Sequence, residues 1–373
     1  MPRVLVDLLS YTGTKGGMET YARELYRELG RRRTPYEFVG FASTELMTMD
    51  TSWFPGEVVD SGYSGENRFH WAYGELVGVA KGARRLGADL IHCPATLGPR
   101  RTSVPTVITM HDMLYFSHPH LMSTPLYTEP VKWMEKQAAR NATRILTDSE
   151  SSAAEIRKYL KFDPARLEVV PLAGTADPTK PRSDRSRRAD LVLAVGNRRP
   201  HKNFQGLVRA MALVDEAVRP TLVVTGSRGD DPLRPIVEEL GLERWVDLRS
   251  WVSPEELEEL YATATILAMP SFCDGFCLPA LESMLVGLPV MLSDIGVYRE
   301  VGGDAALYFD PHDLASIAGA ITRAVTEPEL LERLTREGYE QAGRFSWPTV
   351  ADQTLAAFDR ALAEYPALRG RRR

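Results

Sequence analysis

Short apolar runs alternate with longer amphipathic segments along the chain, and the whole scheme occurs twice. A short apolar run bounded by turn residues is typical of a buried parallel strand, whereas apolar positions three and four residues apart indicate a helix. In the first half the predicted strands are residues 3–9, 37–42, 89–93, 106–110, 143–147 and 167–170. In the second half they are residues 191–195, 221–225, 245–248, 266–269 and 289–292. The pattern predicts an α/β protein with two doubly wound units.

A polar stretch separates the two halves. Residues 174–190 are rich in Pro, Ser, Arg and Asp and show no periodicity, so we interpret them as the linker between domains at residues 1–173 and 191–346. Within the first domain, the helical spacing predicts an amphipathic helix over residues 19–30. No fixed-period repeat occurs in the sequence, which excludes a solenoid.

The composition is that of a globular protein with an acidic balance. The chain has 373 residues, of which 44% are hydrophobic and 25% charged, and its formal net charge is -5. This length suffices for two domains, and the acidity argues against a dedicated nucleic-acid-binding protein. Arginine clusters at residues 31–33, 182–188 and 371–373 could contact anionic lipid or a phosphorylated carrier, although most charge runs are solvated surfaces.

The cysteines and the N-terminus favour a reduced, cytoplasmic protein. Cys93, Cys273 and Cys277 form no zinc pattern, because the Cys-x3-Cys pair has no second pair. No basic and apolar leader precedes the first strand, and no run approaches the ~20 apolar residues that span a bilayer. We therefore expect a cytoplasmic protein without a transmembrane segment, while peripheral membrane contact and the oligomeric state stay open. The excess of arginine over lysine suits a GC-rich bacterial genome.

The most informative stretch is residues 270–282, Pro-Ser-Phe-Cys-Asp-Gly-Phe-Cys-Leu-Pro-Ala-Leu-Glu. It follows the predicted strand at 266–269, and Pro279 suits the first turn of a helix, so Asp274 falls on a loop and Glu282 on a helix. Such a joint at the carboxyl edge of a parallel sheet directs backbone N–H groups and a helix dipole at one point, which suits a phosphate. Two carboxylates beside it suit the hydroxyls of a sugar and a ribose. An ordinary turn with acidic residues for solubility is the alternative.

This stretch resembles the Glu-Gly-Phe-Gly-Leu-Pro-x-x-Glu motif of the retaining glycosyltransferases of family 4. In that family the first Glu contacts donor-sugar hydroxyls and the second binds the nucleotide ribose, so the resemblance implies these roles for Asp274 and Glu282. Further donor-binding residues implied by the motif are Gly275, Phe276, Cys277 and Leu278. Asp274 is one methylene shorter than the family's Glu, and Cys277 adds a side chain where the family has Gly. Both departures leave the donor sugar open.

The resemblance covers nearly the whole chain and implies the GT-B architecture, in which two Rossmann-like domains face each other across a cleft. The last helix of this architecture commonly crosses back to the N-terminal domain. The segment that begins at Trp347, after Arg344-Phe-Ser-Trp-Pro, is similar to that crossover helix. The resemblance therefore assigns residues 347–373 to the N-terminal acceptor domain and residues 191–346 to the donor domain.

A glycine-containing loop, Tyr11-Thr-Gly-Thr-Lys-Gly-Gly-Met-Glu, follows the first predicted strand. Gly16 and Gly17 permit positive φ and a close approach of backbone to ligand. With Gly13 they lack the spacing of the dinucleotide-binding fingerprint. Family 4 has a Gly-Gly-x-Glu here, so the resemblance implies donor contacts for Gly16 and Gly17 and an acceptor-side position for Glu19. A tight turn at a helix entry is the alternative.

The strand at 106–110 runs directly into His111 and Asp112, at the edge where open α/β sheets present functional groups. An imidazole there can donate to a sugar hydroxyl or to a phosphate, although a lone His at a strand end is often structural. The string Thr-Met-His-Asp-Met-Leu-Tyr-Phe resembles the family's His-Asp motif. The resemblance implies a catalytic role for His111, with Asp112 orienting the ring or contacting the acceptor.

A basic loop, Gly196-Asn-Arg-Arg-Pro-His-Lys-Asn, follows the first strand of the second domain, and Asn203 suits a helix cap. Cations at this point suit a departing diphosphate, because Arg binds phosphate in bidentate fashion and Lys acts as a point charge. Family 4 has an Arg and Lys pair after this strand, so the resemblance implies catalytic and donor-binding roles for Lys202 and Arg198. Arg199 and His201 compete for the arginine role, and a solvated basic loop is the alternative.

The sequence contains no Asp-x-Asp, the pair that holds a divalent ion in sugar-nucleotide transferases of the other common fold. We therefore expect no metal and no cofactor. The resemblance implies transfer of a hexosyl group from a GDP- or UDP-sugar to an acceptor hydroxyl, with retention. The alternatives are a GT-B phosphorylase or synthase that acts on sugar phosphates, and a catalytically silent sugar-nucleotide binding module. The acceptor stays open among a polysaccharide, a lipid carrier and a small natural product.

Overall fold

The protein is known from a computed structural model, which describes residues 1–122, 124–176 and 190–371, with side chains as far as residue 365. Most of the predicted linker at 174–190 therefore lies outside the described residues. The chain forms two compact units. The first unit comprises Met1–Pro119, Ser123–Leu172 and Ser346–Arg373, and the second comprises His120–Met122 and Ala173–Phe345.

The first unit contains one parallel sheet covered by helices. Its strands are β1 Arg3–Leu8, β2 Glu37–Ala42, β3 Glu57–Asp60, β4 Leu90–Cys93, β5 Thr106–Thr109, β6 Arg144–Thr147 and β7 Leu167–Val169. Its helices before residue 172 are α1 Gly17–Gly30, α2 Arg68–Tyr73, α3 Val79–Arg85, α4 Leu114–Ser117, α5 Pro125–Asn141 and α6 Glu150–Tyr159. The strand order is β3-β2-β1-β4-β5-β6-β7, and every neighbouring pair is parallel.

The second unit repeats this plan with a six-stranded sheet. Its strands are β8 Leu191–Val195, β9 Thr221–Ser227, β10 Val246–Ser250, β11 Ile266–Met269, β12 Val290–Ser293 and β13 Ala306–Phe309. Its helices are α7 Phe204–Met211, α8 Arg234–Glu239, α9 Pro254–Thr263, α10 Leu278–Leu285, α11 Gly296–Gly302, α12 Leu314–Thr326 and α13 Pro328–Ala342. The order is β10-β9-β8-β11-β12-β13, again parallel throughout.

The last helix, α14 Trp347–Arg371, belongs to the first unit. It packs against α1, β5 and β6, and the Trp347 ring lies 6.5 Å from that of Tyr21. Further along, the buried Phe358 contacts the rings of Tyr36 and His92 edge-on. The predicted return of the C-terminal helix to the first domain is therefore confirmed. No described helix combines the length and apolarity needed to cross a membrane.

Alternation of side chains along the strands gives each sheet two apolar faces. In β8, Val192 and Ala194 join one buried cluster of the second unit, whereas Leu191 and Leu193 join the other. Successive side chains of a strand point to opposite faces, so a strand buried on both sides is apolar at every position. This explains why the continuous apolar runs of the sequence mark the central strands correctly.

The structure adds two strands that the apolar pattern did not indicate, β3 and β13. Each lies at one edge of its sheet, where it pairs with a single neighbour. The ends of several predicted strands also shift, since β10, for example, spans Val246–Ser250 and not 245–248. These differences leave the predicted class, two parallel Rossmann-like units, unchanged.

Candidate active site

Two loops of the second unit meet at the carboxyl edge of its sheet. Strand β8 leads into the loop that carries Lys202, and β11 leads into the loop that carries Asp274. These strands are neighbours where the strand order reverses, because the chain continues from β8 to β9 on one side and returns to β11 on the other. The Phe272 N–H donates to the His201 carbonyl at 2.8 Å and joins the loops. Open α/β sheets bind ligands at such switch points.

Lys202 and Asp274 form an ion pair in which Nζ lies 2.5 Å from Oδ2. The same oxygen is 2.9 Å from the hydroxyl of Tyr298, which also lies 2.7 Å from Ser271 Oγ. Both contacts have the geometry of donation by the Tyr298 hydroxyl, whose single proton serves one acceptor at a time, and the charged carboxylate of Asp274 is the stronger acceptor. The Asp274 carboxylate is therefore held through Oδ2 by two donors. Its Oδ1 accepts a longer bond, 3.2 Å, from the Gly275 N–H.

Glu282 lies on the first turns of α10, as the position of Pro279 in the first turn predicts. Its Oε1 accepts from the hydroxyl of Thr175 at 2.5 Å, and its Oε2 accepts from the hydroxyl of Tyr261 at 3.2 Å. Burial, followed by the negative charge of Glu282, raises the pKa of Tyr261 well above its usual value, so the phenol stays a donor. Glu282 is thus oriented through both oxygens.

Cys277 points its side chain into the core of the second unit, where it is fully buried. Burial raises the pKa of its thiol to about 12. Its φ of -127° lies in the range that any residue adopts, so the backbone here does not require the glycine found in the family motif. The thiol therefore occupies the apolar interior behind the loop. The neighbouring Phe276 is partly buried against the ring of Phe345, 6.2 Å away, and Leu278 begins α10.

Arg198 is bound within the protein. Its guanidinium makes a bidentate pair with Asp231 at 2.8–3.1 Å and donates to the carbonyls of Val224 and Thr225. Both side chains are at most 7% exposed. Burial by itself raises the pKa of Asp231, but hydrogen bonds from Arg198 outweigh it and keep the pKa below its usual value. In this structure the Arg198 guanidinium, which the predicted phosphate role requires, is therefore already bound to Asp231 and to two backbone carbonyls.

The other candidates on this loop also differ from the sequence expectation. Arg199 is exposed, and His201 is buried. Asn203 precedes α7 in a left-handed conformation, with φ 52°, and makes no side-chain cap. Its amide donates to the carbonyl of Pro311 at 2.9 Å instead, so the predicted capping role of Asn203 is wrong. Lys202 is the cation of this loop that the structure brings to Asp274.

In the first unit, the loop after β1 is braced by Glu19. Gly16 has φ 67°, the left-handed region that favours glycine, while Gly17 already begins α1. The Oε1 of Glu19, which is buried, accepts from the N–H groups of Thr12 and Thr14 at 2.7 and 3.1 Å. This carboxylate therefore fixes the shape of the glycine loop. Its predicted acceptor-side role stays a prediction.

His111 follows β5 and is held from two sides. Its Nδ1 lies 2.7 Å from Asp148 Oδ2, and its Nε2 lies 2.8 Å from the carbonyl of Pro94. Burial alone lowers the pKa of His111, but Asp148 and the Pro94 carbonyl favour the protonated ring and leave a net rise. Asp112 accepts the Leu114 N–H at 3.0 Å, at the start of α4, while the two ring nitrogens of His111 face Asp148 and Pro94.

Three partners of these side chains were not indicated by the sequence. Asp148 follows β6 and reaches His111 from the adjacent strand, while Tyr298 on α11 and Tyr261 on α9 each reach one carboxylate of the second unit. Asp148 stands directly after the end of β6, which is the signal that could have found it. Across the described part of the chain, no group of three or more His, Cys, Asp or Glu residues is arranged to hold a metal ion.

Comparison with known families identifies the class of protein that this fold and site define. The glycosyl transferases group 1 family matches residues 177–341, and glycosyltransferase family 4 matches residues 15–173. The O-antigen chain mannosyltransferase B of Escherichia coli is 34% identical over 269 residues, which cover 68% of this chain and 69% of that protein. The chain therefore belongs to these glycosyltransferases and is itself a glycosyltransferase.

Other relatives align over most of the chain. The MMP α-(1→4)-mannosyltransferase of Mycolicibacterium hassiacum is 29% identical over 369 residues, covering 92% of this chain and 85% of that protein. Among solved structures, sucrose-phosphate synthase from Thermosynechococcus elongatus superimposes with a TM-score of 0.78 at 20% identity, covering 97% and 100% of the two chains. Anabaena HepE in complex with UDP and glucose gives 0.75 at 17% identity, covering 96% and 100%. These likenesses establish the GT-B fold.

Proposed function

We propose that this glycosyltransferase moves a hexosyl group from a nucleoside diphosphate sugar, linked to GDP or UDP, to an acceptor hydroxyl, with retention and without a metal ion. The observation that carries the proposal is the Lys202–Asp274 pair at the switch point of the second sheet. Retention is drawn from the family resemblance. We place the reaction in the cytoplasm, where cysteines such as Cys93 and Cys277 stay reduced.

Lys202 is proposed to bind the diphosphate as the bond to the sugar breaks. Its ammonium is paired with Asp274, so these two charges offset each other. A diphosphate brings new negative charge, and an ammonium in a partly buried position stabilises it more strongly than one in water. The start of α10, beside the Asp274 loop, adds the positive end of a helix dipole.

Asp274 is proposed to accept hydrogen bonds from hydroxyls of the donor sugar, and Glu282 from the ribose. Oδ2 of Asp274 is already bound by two donors, which leaves Oδ1 as the oxygen best suited to a sugar hydroxyl. Because Lys202 and Tyr298 hold this shorter carboxylate in place, the change from Glu to Asp is compatible with a working donor site. The buried thiol of Cys277 supports the same view, since it leaves the backbone side of the loop clear.

A mannosyl group is the first donor sugar to test. Two relatives that align over two thirds or more of their length are named as mannosyltransferases, and this supports GDP-mannose beside UDP-glucose in a donor screen. The acceptor is proposed only as a hydroxyl of a polysaccharide, a lipid carrier or a small natural product. In the first unit, His111 is proposed to act in catalysis and Glu19 and Asp112 on the acceptor side.

The test is titration calorimetry with UDP and GDP in EDTA, followed by assays of diphosphate release from GDP-mannose and UDP-glucose. We expect one diphosphate to bind and the initial rate with its sugar to be insensitive to EDTA. Strict dependence on magnesium or manganese contradicts the metal-free site. Turnover of a sugar 1-phosphate without nucleotide would indicate a phosphorylase or synthase, and binding without turnover a silent module.

A further inference from the structure

Two buried tyrosines lie behind the two carboxylates of the second unit, one behind each. Tyr298 of α11 is 0% exposed and donates to Asp274, and Tyr261 of α9 is 5% exposed and donates to Glu282. Neither tyrosine belongs to the sequence motifs that suggested the site. A buried phenol with a hydroxyl aimed at a carboxylate has a fixed direction, because its ring is locked by the surrounding core.

The Tyr298 hydroxyl lies between two oxygen atoms within hydrogen-bond distance. Ser271 lies fully buried on one side at 2.7 Å, and Asp274 Oδ2 lies on the other at 2.9 Å. Since the phenol proton serves one acceptor at a time, Tyr298 donates preferentially to the charged Asp274 carboxylate, which is a stronger acceptor than the Ser271 hydroxyl. Burial, and then the charge of Asp274, raises the pKa of Tyr298 well above its usual value, so this direction holds at neutral pH.

Tyr298 also gives Asp274 a partner that does not depend on Lys202. If Lys202 turns from Oδ2 toward a diphosphate, the Asp274 carboxylate loses its ammonium but keeps the phenol. A carboxylate with one remaining charge-assisted bond keeps its orientation, whereas one without it gains rotational freedom. The Tyr298 hydroxyl is therefore needed most when the donor is bound, which is when Asp274 meets the sugar.

The geometry at Glu282 is different. Its Oε1 is bound by Thr175 and its Oε2 by Tyr261, so the plane of the carboxylate is fixed from both ends. Thr175 is exposed, whereas Tyr261 is buried and lies within the core cluster behind α10. The rigid partner is therefore the tyrosine. Loss of its hydroxyl removes the buried partner of Glu282 Oε2 and keeps the bond from the exposed Thr175 to Oε1.

We propose that Tyr298 and Tyr261 are positioning residues of the donor site, the first orienting Asp274 for the sugar and the second orienting Glu282 for the nucleotide. This inference rests on the proposed function, since it assigns each tyrosine through the role of its carboxylate. The two roles separate in kinetics. Loss of a contact that is used only as the sugar is transferred lowers kcat. Loss of a contact to the nucleotide instead raises KM and the Kd of the free diphosphate.

The test compares Tyr298→Phe and Tyr261→Phe with Tyr308→Phe as a matched control. Each variant removes one hydroxyl and keeps the ring, but the Tyr308 hydroxyl lies 2.7 Å from the carbonyl of Gly303 and 3.2 Å from that of Tyr298, and it bonds no carboxylate among the described residues. We expect Tyr298→Phe to lower kcat about tenfold, as expected for loss of a hydrogen bond to a charged group, and to keep the diphosphate Kd within about twofold. We expect Tyr261→Phe to raise the diphosphate Kd about tenfold with kcat little changed.

A second comparison asks whether Tyr298 acts through Asp274. Adding Tyr298→Phe to Asp274→Asn should cause no further loss of kcat beyond about twofold, because residues that act as a unit are strongly non-additive. If the loss of kcat in the double variant equals the product of the losses in the two single variants, the assignment is overturned. So would a Tyr298→Phe variant with native kcat, or a Tyr308→Phe variant with the same loss, which would mean that packing alone is responsible.

Failure of this inference differs from failure of the proposed function. A native protein that binds a diphosphate but turns over no nucleotide sugar contradicts the function. An active native protein whose two tyrosine variants change kcat and Kd together contradicts only the division of roles. Thermal unfolding of all three variants checks that each is folded, and a diphosphate Kd for Tyr261→Phe equal to the native value overturns its assignment without any activity assay.

Discussion

His111 and Asp148 form a buried pair at the carboxyl edge of the first sheet, with 2.7 Å between Nδ1 and Oδ2. The opposite ring nitrogen lies 2.8 Å from the carbonyl of Pro94, so both nitrogens face acceptors. A neutral imidazole carries one N–H and leaves one of these acceptors without a donor. The doubly protonated ring satisfies both, in agreement with the raised pKa of His111. The two acceptors at the end of β5 therefore favour the protonated form of the ring.

The first prediction concerns the pH dependence of stability. Because folding raises the pKa of His111, this residue stabilises the fold fully below its unfolded pKa, near 6.5, and the contribution is lost as the pH rises through the higher folded pKa. We expect the melting temperature of the native protein to fall more steeply over the interval above about pH 6.5 than that of His111→Gln. Parallel melting curves across this interval would show that the ring is neutral in the folded protein.

Glu135 on α5 gives a second prediction about the pH dependence of stability, this time for a carboxyl group. Its side chain is buried, and its Oε2 has no hydrogen-bond partner among the described residues. Burial, with a smaller effect of Asp112, raises its pKa well above the usual value. The unfolded chain therefore binds fewer protons than the folded one at neutral pH, and native stability falls as the pH rises above about 4.3.

Glu135→Gln removes this titration. We expect the variant to gain stability relative to the native protein as the pH is raised above about 4.3, because the native side chain must then either stay protonated or ionise in a buried site. Urea unfolding of both proteins at several pH values measures the difference. A difference that stays constant with pH would mean that Glu135 is ionised in the folded protein.

Arg198 and Lys202 lie four residues apart, but their substitution should have different effects. Loss of Arg198 should lower stability, and loss of Lys202 should lower turnover. Arg198→Ala leaves Asp231 as a buried, unpaired charge, so we expect a loss of about 3–5 kcal/mol in the free energy of unfolding. Lys202→Ala should leave the melting temperature nearly unchanged and lower turnover by about 100- to 1000-fold, as for removal of a preorganised charge. A Lys202 variant with more than half of the native rate would show that the loop is a solvated turn.

The substitution Cys277→Ala tests whether this residue serves core packing or donor recognition. Since its thiol is fully buried in the apolar cluster, Cys277→Ala should lower the stability of the second unit by about 1 kcal/mol. The ranking of donor sugars should stay the same, because the thiol points away from the loop backbone. Melting curves beside relative kcat/KM values for several nucleotide sugars check both halves, and a changed donor ranking would return Cys277 to the sugar pocket.

The central strands were predictable because each is buried on both faces and therefore apolar along its length. The two missed strands lie at sheet edges, and the requirement for burial is relaxed in β3 but not in β13, which is largely buried. Strand β3 has the sequence Glu-Val-Val-Asp and is partly exposed along its length. Strand β13 pairs only with β12 and follows a Gly-Gly-Asp turn. A pattern that depends on burial does not mark a partly exposed strand such as β3.

The candidate site was predictable in its loops but not in its side-chain directions. The strand–loop–helix joint fixed Asp274 on a loop and Glu282 on α10, because Pro279 marks the helix start. Whether Arg198 or Lys202 faces the site depends on Asp231, 33 residues further along the chain, which binds the arginine. Tertiary partners of this kind carry no local signal.

The most direct test of the central claim is the kcat/KM of native protein and Asp274→Asn for UDP-, GDP- and dTDP-sugars, beside the Kd of the free diphosphates. If Asp274 reads the donor sugar, the Asn variant should lose about 10- to 100-fold in kcat/KM with the best donor, since a charged acceptor becomes a neutral amide. Diphosphate binding, assigned to Lys202 and Glu282, should change little. An Asn variant that turns over the best donor at the native rate would contradict the claim that this loop is the donor site.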